Sequence, residues 1–193
     1  MLFRSNRGLI AMIPELRRKY YLNKIPRLTS DVTVAVHVRR GDVSETRNKH
    51  YFTSTDTVLR TAALVKSNLD AHGVSYRIGV YSQGDRHDFE EFSLQLAAEL
   101  FIDADPIWTM RELIEADILI MAKGSFSACA AFISDGIKLI ESKTEPEIPK
   151  MEELIVREPD GSFDVAKFEK QLQRLLEVKM RAHQLHLVDD PSR

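Results

Sequence analysis

The sequence predicts an α/β fold: a Rossmann-like, doubly wound parallel sheet of about five strands, with a short N-terminal helix and a long amphipathic C-terminal helix. Two observations lead there. Short, β-branched apolar runs alternate with stretches of helical periodicity, the pattern of strands buried on both faces between helices. Polar residues also gather where each apolar run ends, while the middles of the runs stay apolar. In open α/β sheets those carboxyl ends carry the ligand.

The first strand is VTVAVHV (32–38), followed from Ser54 by a helix with Val58, Ala62, Val65 and Leu69, stopping at His72-Gly73. RIGVYS (77–82) is the second strand, and Phe89, Phe92 and Leu96 mark a helix over about 86–99. LFID (100–103), the helix TMRELIEA (109–116) and the strand DILIMA (117–122) continue the alternation. SFSACAAFISDG (125–136) is a small-residue helix closed by Gly136, and IKLIE (137–141) is the fifth strand. Before the sheet, residues 8–22 form a helix with Leu9, Met12, Ile13, Leu16 and Tyr20 on one face, kinked or begun at Pro14. After it, ESKTEPEIPK is a polar connector, and Phe168, Leu172 and Leu175 line the final helix. The chain therefore divides into an N-terminal helical extension (1–29), a Rossmann-like domain (30–150) and a C-terminal tail (151–193) whose helix packs on the domain.

Composition removes several functional classes. In 193 residues, 44% are hydrophobic and 29% charged, ordinary values for a globular protein that buries one core. A net charge of −2 gives no general attraction for nucleic acid or an anionic membrane. Nothing approaches the roughly 18 apolar residues of a membrane span, and the N-terminus does not read as a secretory leader. A single cysteine, Cys129, forms no internal disulfide and no zinc cage; it reads as core packing among alanines. These readings place the chain in the cytoplasm.

The strand ends carry the chemistry. The first ends in His37, Arg39, Arg40 and Asp42, the second in Ser82-Gln83-Gly84, the third in Asp103 and Asp105, the fourth in Lys123-Gly124-Ser125-Phe126-Ser127. Successive side chains leave a strand on opposite faces, so one guanidinium of the Arg pair aims at a ligand. The other pairs with a carboxylate such as Asp42 and holds the turn. A guanidinium fork suits phosphate oxygens, and a helix opening at Gly124-Ser125 offers unpaired N–H groups to an anion. Each feature also has a plain structural reading: a solvated turn for the Arg pair, an N-cap for Ser125, a half-buried satisfied ring for His37.

The run HVRRGD (37–42) resembles the H-x-R-R-x-D motif of the α-1,2- and α-1,6-fucosyltransferases, shared in looser form with the protein O-fucosyltransferases. ADILIMAKGSFSACAAFISDG (116–136) is similar to a later motif of the same superfamily, in the same order and at a fitting separation. The resemblance implies the nucleotide-sugar-binding half of a GT-B type enzyme that takes fucose from GDP-fucose by inversion, with no metal and no cofactor. It implies that Arg39 contacts the β-phosphate and stabilises the leaving GDP, and that His37 lies against the guanine or ribose. Arg40 and Asp42 support the loop, Ser125 meets the diphosphate and Phe126 packs beside the nucleotide; Ser82 and Ser127 join them at neighbouring strand ends. Where the family holds guanine with an Asp, eight residues before Asp117, this chain has Thr109, and Asp105 is the nearest upstream acid. The base position of the α-1,6 enzymes falls at Arg47, with Glu45 as the nearby substitute. The acceptor, a glycan or a protein, is not legible.

About thirty residues precede the motif, where the family places an acceptor-side lobe. The expectation is a donor half that needs a partner chain or a homodimer to transfer sugar. The alternative is a non-catalytic nucleotide-binding module descended from such an enzyme; a third reading is an unrelated α/β protein whose Arg pair is only structural.

Overall fold

A computed structural model describes residues 6–22, 24, 31–141 and 151–188. The connector after Glu141 and the ends of the predicted N-terminal extension lie outside the described residues. Six parallel strands make one sheet in the order β3-β2-β1-β4-β5-β6. They are β1 (Val32–His37), β2 (Tyr76–Ser82), β3 (Glu99–Ile102), β4 (Ile118–Ile120), β5 (Ile137–Glu141) and β6 (Leu154–Arg157). Helices α1 (Asn6–Tyr21), α2 (Thr55–Ala71), α3 (Glu90–Leu96), α4 (Pro106–Glu115), α5 (Ser125–Ile133) and α6 (Val165–Val188) cover the two faces.

Alternation along the strands builds two cores. Val32, Val34 and Val36 of β1 point to one face, where Val58 and Leu69 of α2, Phe89, Phe92 and Leu96 around α3, and Phe168 and Leu172 of α6 are buried. Ala35, Leu119 and Met121 point to the other, against Ile13 of α1, Leu113 and Ile114 of α4, and Ala128, Ala131 and Phe132 of α5. Both faces are thus apolar at the centre, which is why the central strands read as continuous hydrophobic runs.

The topology places the cleft. From β1 the chain steps outward through α2, β2, α3 and β3, then returns by α4 to β4 on the other side of β1. Val34, Ala35 and Val36 pair with Ile118, Leu119 and Ile120. Connections on the two sides of this pair diverge, so a crevice opens outside the carboxyl ends of β1 and β4.

Several expectations are corrected. The sheet has a sixth strand, β6, in the segment expected to be tail; it is an edge strand pairing with β5 from Lys138↔Leu154 to Glu141↔Arg157. The helix predicted over 86–99 divides into a 3-10 turn at Arg86–Phe89 and a short α3 that ends at Ala97, φ 52°. Pro14 stands inside α1 rather than in its first turn, and Met12 faces solvent while Ile13 is buried. Gly136 does not close α5, which ends at Ile133 with Ser134 as its C-cap. It is a close-approach glycine: a Cβ there would collide with the carbonyl oxygens of Ala116 and Asp117. Cys129 is exposed on α5, not packed in the core. Among the described residues no helix is long and apolar enough to cross a membrane.

Candidate functional site

A cleft of about 310 Å³ opens at the predicted crevice, close to the lower limit of ordinary ligand pockets. His37, Arg39, Arg40 and Asp42 line it from the β1 end, Ser82 and Gln83 from the β2 end, Pro106 and Thr109 from α4, and Lys123, Ser125 and Phe126 from the β4–α5 turn.

Arg39 is held by three residues. Its Nε and Nη2 donate to the two carboxylate oxygens of Asp42 at 3.2 and 2.8 Å, a bidentate fork. Its Nη1 makes a long bond of 3.5 Å to the carbonyl of Lys123, and its plane lies 4.5 Å from the Tyr51 ring. The Arg39 bonds hold the Asp42 carboxyl below the usual carboxylate range. Asp42 therefore belongs to Arg39, while both guanidiniums line the cleft. Arg40 holds the turn by other means: it donates to the carbonyls of Arg39 (2.8 Å) and Thr53 (3.1 Å) and to Thr55 Oγ1 (2.9 Å), and it stacks on Phe52.

Gly124 brings the two halves of the site together. It is the residue before α5, at φ 116° and ψ 172°, a conformation open to glycine alone. A Cβ at that position would overlap Arg39 Nη1. Ser125 is therefore the first helical residue and not the cap, and no side chain caps the first turn of α5. The positive end of the helix and the Arg39 fork share one mouth of the cleft.

His37 closes the floor. Its Nδ1 lies 2.5 Å from Ser127 Oγ, and Ser127 Oγ accepts from the Ala122 N–H at 3.2 Å. Burial first, and then the Arg39 cation, pull the His37 pKa down to about 4, so the ring is neutral at pH 7. The tautomer with the proton on Nε2 lets the Ser127 hydroxyl donate to Nδ1 while its oxygen accepts from Ala122. Phe126 packs on the ring at 5.4 Å between centroids.

Other predicted residues fall elsewhere. Ser127 is buried beneath His37 and does not line the cleft. Ser82 lines it, but its hydroxyl is turned back to the Val38 carbonyl at 2.7 Å. Asp105 caps α4 through the Trp108 N–H at 2.8 Å and stands at the rim. Glu45 is exposed in the loop after β1 and is not among the lining residues. Asp42 is the one carboxylate among them.

Sequence reasoning named Lys123 at the fourth strand end without giving it a role, and it missed Tyr51. Lys123 lines the cleft and pairs with Glu141 at 2.6 Å; Tyr51 is the platform under Arg39. The position of Lys123 beside the Gly-Ser turn was a usable signal, whereas nothing in the sequence ties Tyr51 to Arg39. Among the described residues no group of three or more His, Cys, Asp or Glu side chains is placed to hold a metal ion.

No protein-family model matches the sequence, and no curated protein does. The chain is similar at low level to solved structures, two of which are informative about coverage. One is the hypothetical protein SMU.573 from Streptococcus mutans, with TM-score 0.40 and 13% identity over 75% of this chain and 52% of that one. The other is POFUT1 in complex with GDP-fucose, with TM-score 0.30 and 15% identity over 64% of this chain and 41% of that one. The chain spans about half the length of the first and less of the second.

Proposed function

We propose that this chain binds a nucleoside diphosphate sugar, GDP-fucose by preference, as the donor half of an inverting, metal-independent glycosyltransferase. The observation that carries the reading is the Arg39 fork set against Gly124 and the uncapped start of α5. Both are donors of positive charge, fixed before any ligand arrives, at the switch point of a 3-2-1-4-5-6 sheet.

In transfer, the acceptor oxygen forms a bond to the anomeric carbon as the carbon–oxygen bond to the β-phosphate breaks. The electron pair leaves with the diphosphate, and the acceptor proton passes to a base. Arg39 and the first-turn N–H groups meet the charge that grows on the leaving phosphate. Neutral His37 offers Nε2–H to a ribose or base without adding charge.

A second reading has its own support. The one carboxylate lining the cleft is committed to Arg39, and Glu45 stands outside it, so the lining residues supply no free carboxylate base. That favours a nucleotide-binding module, or a donor half whose acceptor side comes from a partner chain or a second copy.

Calorimetric titration with GDP, with and without EDTA, tests binding. GDP release from GDP-fucose, with glycan and peptide acceptors, separates the two readings. Absence of GDP binding, or binding that needs Mg²⁺, overturns the donor-site reading. Robust turnover by the isolated monomer overturns the module.

A further inference from the structure

Resting on that donor-site reading, we infer that Glu141, at the end of β5 and outside both sequence motifs, is a positioning residue for the Arg39 fork. It is the hub of a partly buried network. One oxygen pairs with Lys123 Nζ at 2.6 Å; the other accepts from Thr53 Oγ1 at 2.7 Å and pairs with Arg157 Nη2 at 3.1 Å. Arg157 is fully buried, and its Nε and Nη1 have no partner among the described residues. Glu141 is thus the carboxylate that allows this guanidinium to be buried at all.

The network reaches Arg39 by two routes. Lys123, oriented by Glu141, presents its carbonyl to Arg39 Nη1 and donates from Nζ to the Phe52 carbonyl at 3.1 Å. Thr53, held by Glu141 at its hydroxyl and by Arg40 at its carbonyl, fixes the segment that carries Tyr51 under the Arg39 plane. The carbonyl contact and the aromatic platform of Arg39 are both set from beneath by one carboxylate.

Charge and geometry predict opposite signs for its removal, which makes the inference testable. Lys123 and Arg157 share Glu141, so neutralising it leaves two uncompensated cations below an anion site. Field alone would then tighten GDP binding. Loss of positioning weakens it, because the second hydrogens of Arg39 Nη1 and Nη2, the ones not given to Lys123 and Asp42, no longer meet phosphate oxygens once the guanidinium is displaced by a fraction of an ångström.

The measurement is the GDP affinity of Glu141→Gln, with the arginine side-chain Nε–H signals of the ligand-free protein recorded by NMR. The expected result is roughly tenfold weaker GDP binding, the scale of losing one well-aligned charged hydrogen bond, together with a shifted Arg39 Nε–H signal. Thr53→Val buries no uncompensated charge; it serves if Glu141→Gln fails to fold, with a smaller change of the same sign expected. Unchanged or tighter binding with an unmoved Arg39 signal, in whichever variant folds, overturns the inference. If the wild-type protein binds no GDP, the donor-site reading fails by itself, and the Arg39 signal alone decides whether Glu141 positions the fork.

Discussion

Arg39 occupies the space in which a side chain on Gly124 would stand. The two residues are 85 positions apart and come from different strand ends, yet a larger residue at 124 would both strain its own backbone and displace the Arg39 side chain. A cation fork and a helix start are thereby brought to one point, and that contact is the part of the cleft most open to test.

Gly124→Ala should damage binding more than stability. The φ of 116° costs a non-glycine residue roughly 1–3 kcal/mol, and the new methyl group pushes Arg39 from the cleft. Chemical denaturation should show a loss in that range, while calorimetry should show GDP binding reduced to the detection limit. Unchanged GDP affinity would mean that the Arg39–Gly124 contact is not part of the anion site.

The two arginines should separate cleanly. Arg39→Lys keeps the charge but loses the fork, and should weaken GDP binding by about 1–3 kcal/mol with little change in stability. Arg40→Lys loses bonds to the Arg39 and Thr53 carbonyls and to Thr55, and should mainly lower the denaturation midpoint. Paired titration and urea curves check this; reversed effects would show that Arg40 is the ligand-facing guanidinium.

His37 makes a signed prediction in pH. Its folded pKa, about 4, lies below the ordinary 6.5, so between these values the unfolded chain binds the extra proton. Stability from this residue is fully present above about pH 6.5 and is lost as pH falls through 4. Urea denaturation at pH 4.5 and 7.5 should show a larger acid loss for wild type than for His37→Gln, whose difference isolates the imidazole from the carboxylates. Equal losses would sink the assignment.

Lys138 is a buried ammonium on β5 with no hydrogen-bond partner among the described residues. Burial chiefly, against the attraction of Glu153, lowers its pKa to about 8. Its charged form destabilises the fold near neutrality, and the penalty is relieved as pH rises from about 8 towards the unfolded value of 10.5. Lys138→Met should therefore stabilise at pH 7 by about 1 kcal/mol, the low end of the gain for replacing buried charge, and the gain should shrink at pH 10. A destabilised variant at pH 7 would show that the ammonium is satisfied in solution.

The first five strands and all six helices were legible because each is repetitive and local: β-branched runs, helical periodicity, and turn residues between them. Parallel pairing and the loading of polar residues at strand ends were enough to locate the cleft edge. β6 was not legible, since LIVR is a short edge strand with an exposed Val156 and an arginine. Its arginine, Arg157, pairs with Glu141, 16 residues away.

What the sequence by itself determined is the sheet, its two apolar faces and the set of charged residues at its carboxyl edge, because burial of alternating side chains admits few other solutions. What tertiary structure alone decided is which of those charges meet. Asp42 went to Arg39 and not Arg40, Ser127 went under His37 and not into the cleft, and Glu45 stayed outside. The Tyr51 platform and the Lys123–Glu141–Arg157 network join segments far apart in the chain. Such choices turn on ångström-scale distances between groups whose order in the sequence carries no record of their separation in space.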